Sequence, residues 1–354
     1  MKVAICWGGV SGYMAACWRA LAARPGVDLL VFNFQSQSNT AFNEQMMAGL
    51  NTRTLPLDHS DPASAIKQII RDHQAQVVSL SGWLYPSYIQ LARDPELAKL
   101  PFVMVMDTPL RYTWRQRLAR LKIGGYLDRM SRVIVPGERA WQYAKLLGVP
   151  ESKIRRAMYG VDYDALSPAY AQRAAQAGGW PRRFLFTGRY ADEKGIGVLL
   201  DAYARYRSRV RDPWPLTCCG MGPLKSQVAN REGVEDLGFV QPAEMRDVMQ
   251  RSGVFVLSSR EDPWPLVIVE ACAAGLPVVC TEACGSSVEL VRSHYSGWQV
   301  ATNDADDLAR GLALAHENYE KLPLMGRRAQ HFAEAYSAQA WADRWEHILR
   351  ELIQ

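Results

Sequence analysis

Residues 184–203 read FLFTGRYADEKGIGVLLDAY. Phe184 to Thr187 is a short apolar run, Gly188 ends it, a polar loop carries Arg189 and Lys194, and a helix is expected from Gly195 to about Arg207. A buried strand, a glycine turn and a helix make one step of an α/β series. The step recurs downstream: strands are expected at Leu216–Cys219, Val234–Phe239, Val254–Leu257 and Pro277–Thr281, with helices from Pro223, Pro242 and Pro265 between them. It also recurs upstream, with strands at Val3–Trp7, Asp28–Phe32, Gln76–Leu80, Phe102–Met106 and Val133–Val135. Short apolar strands separated by helix-length segments point to mostly parallel sheets covered on both faces.

The two series are separated by DYDALSPAYAQRAAQAGGWPRR, residues 162–183, which is rich in Ala, Gly and Pro and breaks the pattern. The division expected is an N-terminal domain at 1–165, a linker at 166–182, a second domain at 183–336 and a last helix at 337–354. Two domains suit 354 residues at roughly 150 per domain. Trp341, Trp345, Ile348 and Leu352 recur at helical spacing, so one face of the last helix must be covered.

Composition excludes several classes. With 48% hydrophobic and 22% charged residues the chain can fill cores, which argues against global disorder. No run approaches about 18 apolar residues, so no membrane-spanning helix is expected. The seven cysteines show no C-x-x-C pair, which argues against zinc or a disulfide framework. No signal segment is expected from MKVAICWGGVSGY, and a cytoplasmic location follows as the expectation.

Two stretches carry chemistry. Arg189 and Lys194 lie in a loop before a helix start, where guanidinium fork, ammonium charge and free N–H groups together make an anion site. A solvated pair of surface cations is the alternative. Ser258 to Leu266 (SSREDPWPL) then follows a strand and enters VIVEACAAGLPVV, so Asp262 and Glu270 stand eight apart at a strand's carboxyl end and in the next helix. Open α/β sheets bind ligands at strand carboxyl ends, and a carboxylate there accepts hydrogen bonds from sugar hydroxyls.

In order, the chain presents Gly188-Arg189 with Lys194-Gly195, then Gly220-Met221-Gly222-Pro223, then Leu237-Gly238-Phe239-Val240, then Asp262 to Glu270 followed by Ala271 to Val279. This resembles the nucleotide-sugar half of retaining GT-B glycosyltransferases of family 4, the group 1 transferases, across nearly all of residues 183–300. The resemblance implies two Rossmann-like domains facing an interdomain cleft, with the C-terminal helix crossing back to the N-terminal domain. It implies that Arg189 and Lys194 neutralise the donor diphosphate, that Glu270 holds the ribose hydroxyls, and that Gly238 and Phe239 meet the base through backbone atoms. Asp262 would face the transferred sugar, while the amides of Pro265, Leu266 and Val267 would meet phosphate or sugar. Gly188, Gly220 and Gly222 complete the donor set. Two departures stand out: the first acid is Asp262 where the family pattern has Glu, and Pro265 stands where Gly is common.

The N-terminal half matches less tightly. Gly8, Gly9 and Gly12 sit at the first strand–helix turn, where the family places a glycine-rich loop; an ordinary tight turn is the other reading, and no G-x-G-x-x-G dinucleotide fingerprint is present. Relatives often carry a histidine after the fourth or fifth strand. Here the place reads Val105-Met106-Asp107-Thr108-Pro109, so Asp107 is either a catalytic or sugar-orienting replacement or an N-cap for the next helix. No D-x-D motif lies where a diphosphate would bind, and the expected reaction needs neither metal nor cofactor beyond the nucleoside diphosphate sugar, UDP being preferred to GDP. A catalytically silent nucleotide-sugar-binding subunit and a GT-B-shaped sugar-nucleotide epimerase are the competing classes.

The net charge of +5 is uneven: residues 1–178 hold 21 Lys and Arg against 13 Asp and Glu, and residues 179–354 hold 20 against 23. Between Arg111 and Arg132 seven cations (Arg111, Arg115, Arg117, Arg120, Lys122, Arg129, Arg132) face one acid, Asp128. Leu110, Trp114, Leu118 and Leu121 form one helical stripe beside them. Peripheral contact of 110–132 with an anionic membrane, and a carbohydrate or lipid-linked acceptor used in surface polysaccharide or glycolipid assembly, are expected; an amphipathic helix packed on its own sheet is the alternative. Nucleic acid is not an expected partner.

Overall fold

A computed structural model describes residues 1–8, 14–35 and 44–353. The chain forms two compact units, Met1–Val161 with Ala338–Gln354, and Asp162–Ser337. The first holds 22 Lys and Arg against 14 Asp and Glu, the second 19 against 22, so the charge asymmetry follows the unit boundary.

In the first unit seven strands pair in parallel: β1 (Lys2–Trp7), β2 (Asp28–Phe34), β3 (Asn51–Leu55), β4 (Val77–Ser81), β5 (Phe102–Val105), β6 (Met130–Val135) and β7 (Ile154–Arg156), in the order β3-β2-β1-β4-β5-β6-β7. In the second, β8 (Phe184–Thr187), β9 (Leu216–Cys219), β10 (Val234–Gly238), β11 (Val254–Leu257), β12 (Val278–Thr281) and β13 (Gly297–Val300) pair in parallel in the order β10-β9-β8-β11-β12-β13. The central strands are apolar because helices cover both their faces; β5, β11 and β12 are buried at every residue. Strand order reverses between β1 and β4 in one sheet and between β8 and β11 in the other. Ligands of open parallel sheets bind at such reversals.

Three strands were absent from the sequence reading: β3, β7 and β13. All three are sheet edges. β3 reads NTRTL and is largely exposed, so it lacks the apolar run that marks a central strand.

The segment 166–182, expected as a linker, is built into the second unit. Asp162 caps the helix Tyr163–Leu166, and the helix Pro168–Ala174 follows. Arg173 is fully buried and donates to the carbonyls of Met249 at 2.7 Å and of Ala274 and Gly275 at 3.0 Å. Burial lowers its guanidinium to about 9. One arginine thus satisfies carbonyls at the end of the helix Leu266–Ala273, an interaction that composition does not reveal.

The final helix, Ala338–Ile353, belongs to the first unit, packing on the helix Ala15–Ala22. Trp341 and Trp345 are buried, their rings stack at 5.0 Å, and their indole N–H groups donate to Met158 O at 3.0 Å and Ala157 O at 2.7 Å. Two aromatic bodies and two paired donors account for why the tail returns.

The basic stretch forms the helix Trp114–Asp128, capped by Thr113. Asp107 is therefore not its N-cap. Leu110 precedes the helix and packs on the core, so the expected stripe keeps only Trp114, Leu118 and Leu121. Three expected surface cations are engaged: Arg120 binds Leu147 O and Asp128, Arg129 binds the carbonyls of Leu97, Ala98 and Leu100, and Arg132 pairs with Glu351. No helix among the described residues is long and apolar enough to cross a membrane.

Candidate nucleotide-sugar site

The carboxyl ends of β8 to β12 converge on one edge of the second sheet. Glycines let their loops approach. Gly195 adopts φ +65° and begins the helix Ile196–Arg209; a Cβ there would overlap the Ser258 carbonyl oxygen. A Cβ on Gly220 would overlap Gly188 O. Backbone bonds then zip the loops together: Gly188 N to Cys219 O, Gly220 N to Gly238 O, and Tyr190 N to Met221 O, all between 2.7 and 3.0 Å. Tyr190 OH adds a 2.7 Å bond to Asp236, whose other role is to receive Gly238 N.

Across the strand-order reversal the loops after β8 and β11 meet. Lys194 Nζ lies 2.5 Å from Asp262 Oδ2, and Asp262 is only 8% exposed. Ser258 Oγ donates to Lys194 O and Gly195 O, and Arg260 N donates to Glu193 O, so the two loops are fixed at backbone level. Asp262 is held from behind by a bridge to Cys284 and a bond from Gly285 N. An ion pair with one nearly buried member costs several kcal/mol if broken from one side. Lys194 is thus a localised charge rather than a solvated one.

Arg189 behaves differently. It is exposed and paired with Glu193, a residue the sequence reading did not single out. Burial would raise the Glu193 carboxyl, but its own backbone N–H and Arg189 outweigh that and hold it below the ordinary value. An incoming anion would exchange with Glu193 for this guanidinium.

Glu270 lies in the helix Leu266–Ala273, whose N-cap is Pro265. Its carboxyl has no hydrogen-bond or ion-pair partner among the described residues, and burial pushes it up to about 7. Pro265, Leu266 and Val267 form the start of this helix, and Ser286 Oγ fixes Pro265 O at 3.0 Å. Gly238 ends β10 at φ +65° with Phe239 next to it. Trp264, another residue missed, is buried with its indole N–H unpaired among the described residues. Such a donor costs about 1–3 kcal/mol when left unmet.

The remaining expected residues lie in the first unit. Asp107 is half-buried after β5 and accepts a 2.8 Å bond from Tyr159 OH. Gly8 follows β1, where Tyr85 OH donates to its carbonyl at 2.8 Å and a Cβ added at Gly8 would lie 2.9 Å from Tyr85 side-chain atoms. Gly9 and Gly12 lie outside the described residues. Among the described residues no three His, Cys, Asp or Glu side chains come together as metal ligands.

Comparison with known proteins bears on the fold and the family resemblance. Residues 172–332 match the family model for glycosyl transferases group 1. The amylovoran biosynthesis glycosyltransferase AmsK of Erwinia amylovora is 28% identical over 197 residues, covering 52% of this chain and 47% of AmsK. The D-inositol 3-phosphate glycosyltransferase of Streptomyces bingchenggensis is 29% identical over 252 residues, covering 65% of this chain and 55% of its own. The chain spans about half the length of the curated relatives it matches. Among solved structures, HepE of Anabaena in complex with UDP superposes with TM-score 0.75 at 19% identity, covering 99% of this chain and 100% of that one. The fold is therefore that of GT-B glycosyltransferases, with two parallel-sheet Rossmann-like domains.

Proposed function

We propose that the chain is a retaining, metal-independent transferase of glycosyltransferase family 4, moving a sugar from a nucleoside diphosphate sugar to an acceptor hydroxyl. The observation that carries the reading is the Lys194–Asp262 pair at the β8/β11 reversal, one helix away from an unpartnered Glu270 carboxyl. Fixed positive charge beside the reversal suits a departing diphosphate; a carboxylate without a protein partner suits hydroxyl donors.

In this reading Lys194 and Arg189 take the diphosphate and stabilise the charge that grows as the glycosidic bond breaks. Glu270 accepts from the ribose hydroxyls, and the backbone at Gly238 and Phe239 receives the base. Gly188, Gly220 and Gly222 let the backbone approach the phosphates, and the amides of Leu266 and Val267 contribute donors. When diphosphate occupies Lys194, Asp262 is released from its pair and can accept from hydroxyls of the transferred sugar. The leaving phosphate assists removal of the acceptor proton on the same face, which gives retention. Asp107, oriented by Tyr159, holds a sugar hydroxyl. The match to HepE with UDP supports UDP over GDP as the carrier, and the match to AmsK supports polysaccharide assembly.

Release of nucleoside diphosphate from UDP-, GDP- and ADP-sugars, with a panel of carbohydrate and lipid-linked acceptors, tests the reading. Slow donor hydrolysis, or transfer with the donor's anomeric configuration kept, supports it. Donor binding without turnover over the whole panel returns the chain to a silent binding subunit, and recovery of an epimerised donor returns it to the epimerase class.

A further inference from the structure

We propose that the helix Trp114–Asp128 docks the first unit on an anionic lipid surface. The helix is apolar on two opposite faces. Ile123, Tyr126 and Leu127 are buried toward its own sheet, with Tyr126 OH donating to Gly82 O at 2.8 Å. On the other side Trp114, Leu118 and Leu121 are 67%, 52% and 85% exposed. At about 100° per residue these three fall within roughly 40° of one line, and Gly125, with open space around it, continues that line. Arg115 and Lys122 flank the line on one side and Arg117 on the other.

Scattered exposed apolar residues are ordinary, but these are not scattered. Of twelve large apolar residues exposed among the described residues, four (Tyr112, Trp114, Leu118 and Leu121) fall within ten positions of the chain. Trp114 is the one exposed tryptophan among the described residues. The cations here are also distinct from their neighbours. Arg120, Arg129 and Arg132 are used to hold the fold, whereas Arg115, Arg117 and Lys122 form no ion pair among the described residues. The nearby acid, Asp128, is engaged by Arg120 at 2.8 Å.

Charge selects the occupant. A second copy packing by two-fold symmetry would set this stripe against itself and bring like cations together. An anionic bilayer accepts the apolar line at the depth of its headgroups while the arginine and lysine stems reach outward to phosphate. The docking is independent of the transferase reading, because lipid binding is measured without any sugar donor.

Co-sedimentation of the whole chain with vesicles of phosphatidylcholine containing about 30% phosphatidylglycerol tests it, beside pure phosphatidylcholine vesicles. The expected result is binding to the anionic vesicles alone, weakened as salt is raised. Joint Arg115→Glu, Arg117→Glu and Lys122→Glu replacement is expected to lower partition by about 100-fold or more. Trp114→Ser, Leu118→Ser and Leu121→Ser together are expected to abolish it. These are surface positions, and an unchanged melting temperature establishes that each variant is folded. Failure of the native chain to bind anionic vesicles, or equal binding by either folded variant, overturns the proposal. So does dimerisation in solution that the serine variant removes, in the absence of vesicle binding.

Discussion

The two sheets reverse strand order in the same way but arm the reversal with opposite chemistry. Between β8 and β11 the loops meet through charge: Lys194 against Asp262, with Arg189 and Glu193 beside them and Glu270 in the following helix. Between β1 and β4 they meet through phenols. Tyr85 OH binds Gly8 O, Tyr88 OH binds Trp7 O, and Phe34, Tyr85 and Tyr88 form one aromatic cluster with centroids 4.8 to 6.0 Å apart. Topology therefore supplies the place and side chains supply the chemistry. In the proposed function the ionic reversal takes the donor diphosphate. The aromatic one is core packing: Phe34 and Tyr88 are buried and Tyr85 packs against them.

This contrast can be broken at several points. The largest effect is expected from Gly195→Ala, which forces a side chain at φ +65° into the Ser258 carbonyl and separates the two ionic loops. A stability loss of about 3 kcal/mol or more is expected, read as a drop in melting temperature. Lys194→Ala should lower turnover by about 100-fold, which is about 2.7 kcal/mol of barrier, in a protein that remains folded by circular dichroism. Near-normal turnover would remove the charge argument.

Glu270 gives a pH signature. Its folded carboxyl titrates near 7 against an ordinary 4.5, so between those values the folded chain holds a proton that the unfolded chain has lost. The ligand-free protein is therefore most stable at the acid end of that window and loses up to about 3 kcal/mol as pH rises to 7. Nucleotide hydroxyls that donate to the ionised carboxylate make affinity rise over the same range. Glu270→Gln should flatten both slopes; slopes that persist in the variant belong to another group. The smallest effect is expected in the first unit: Tyr159→Phe removes the bond to Asp107 and should cost about 1 kcal/mol of stability, measured by urea denaturation.

How much of this was legible in the sequence depended on where the information sits. Central strands such as Phe102–Val105 and Val254–Leu257 announce themselves because both faces are buried. Edge strands such as Asn51–Leu55 do not, since one flank is open and polar residues suffice. The two halves of the ionic site were readable because each is local, Gly188 to Gly195 and Asp262 to Glu270 at fixed spacings, but the pairing of Lys194 with Asp262, 68 residues away, was not. The role of Arg173 was not: its three carbonyl partners lie 76 to 102 residues away, and a segment rich in alanine and glycine reads as a linker until that burial is seen. Glu193 and Trp264 escaped for a related reason, as the partner of one and the unmet donor of the other exist only once the loops have folded. The stripe on Trp114–Asp128 was visible as a pattern, but only the fold separates its sheet-facing side from the side left open.

In the proposed function the second unit binds a nucleoside diphosphate at the Lys194–Asp262 pair. Titration calorimetry of the native chain and Lys194→Ala with UDP, GDP, ADP and CDP measures it directly. One diphosphate binding at one site per chain, weakened about tenfold or more by the substitution, is the result expected. Binding of none of them, or an affinity the substitution leaves unchanged, contradicts it.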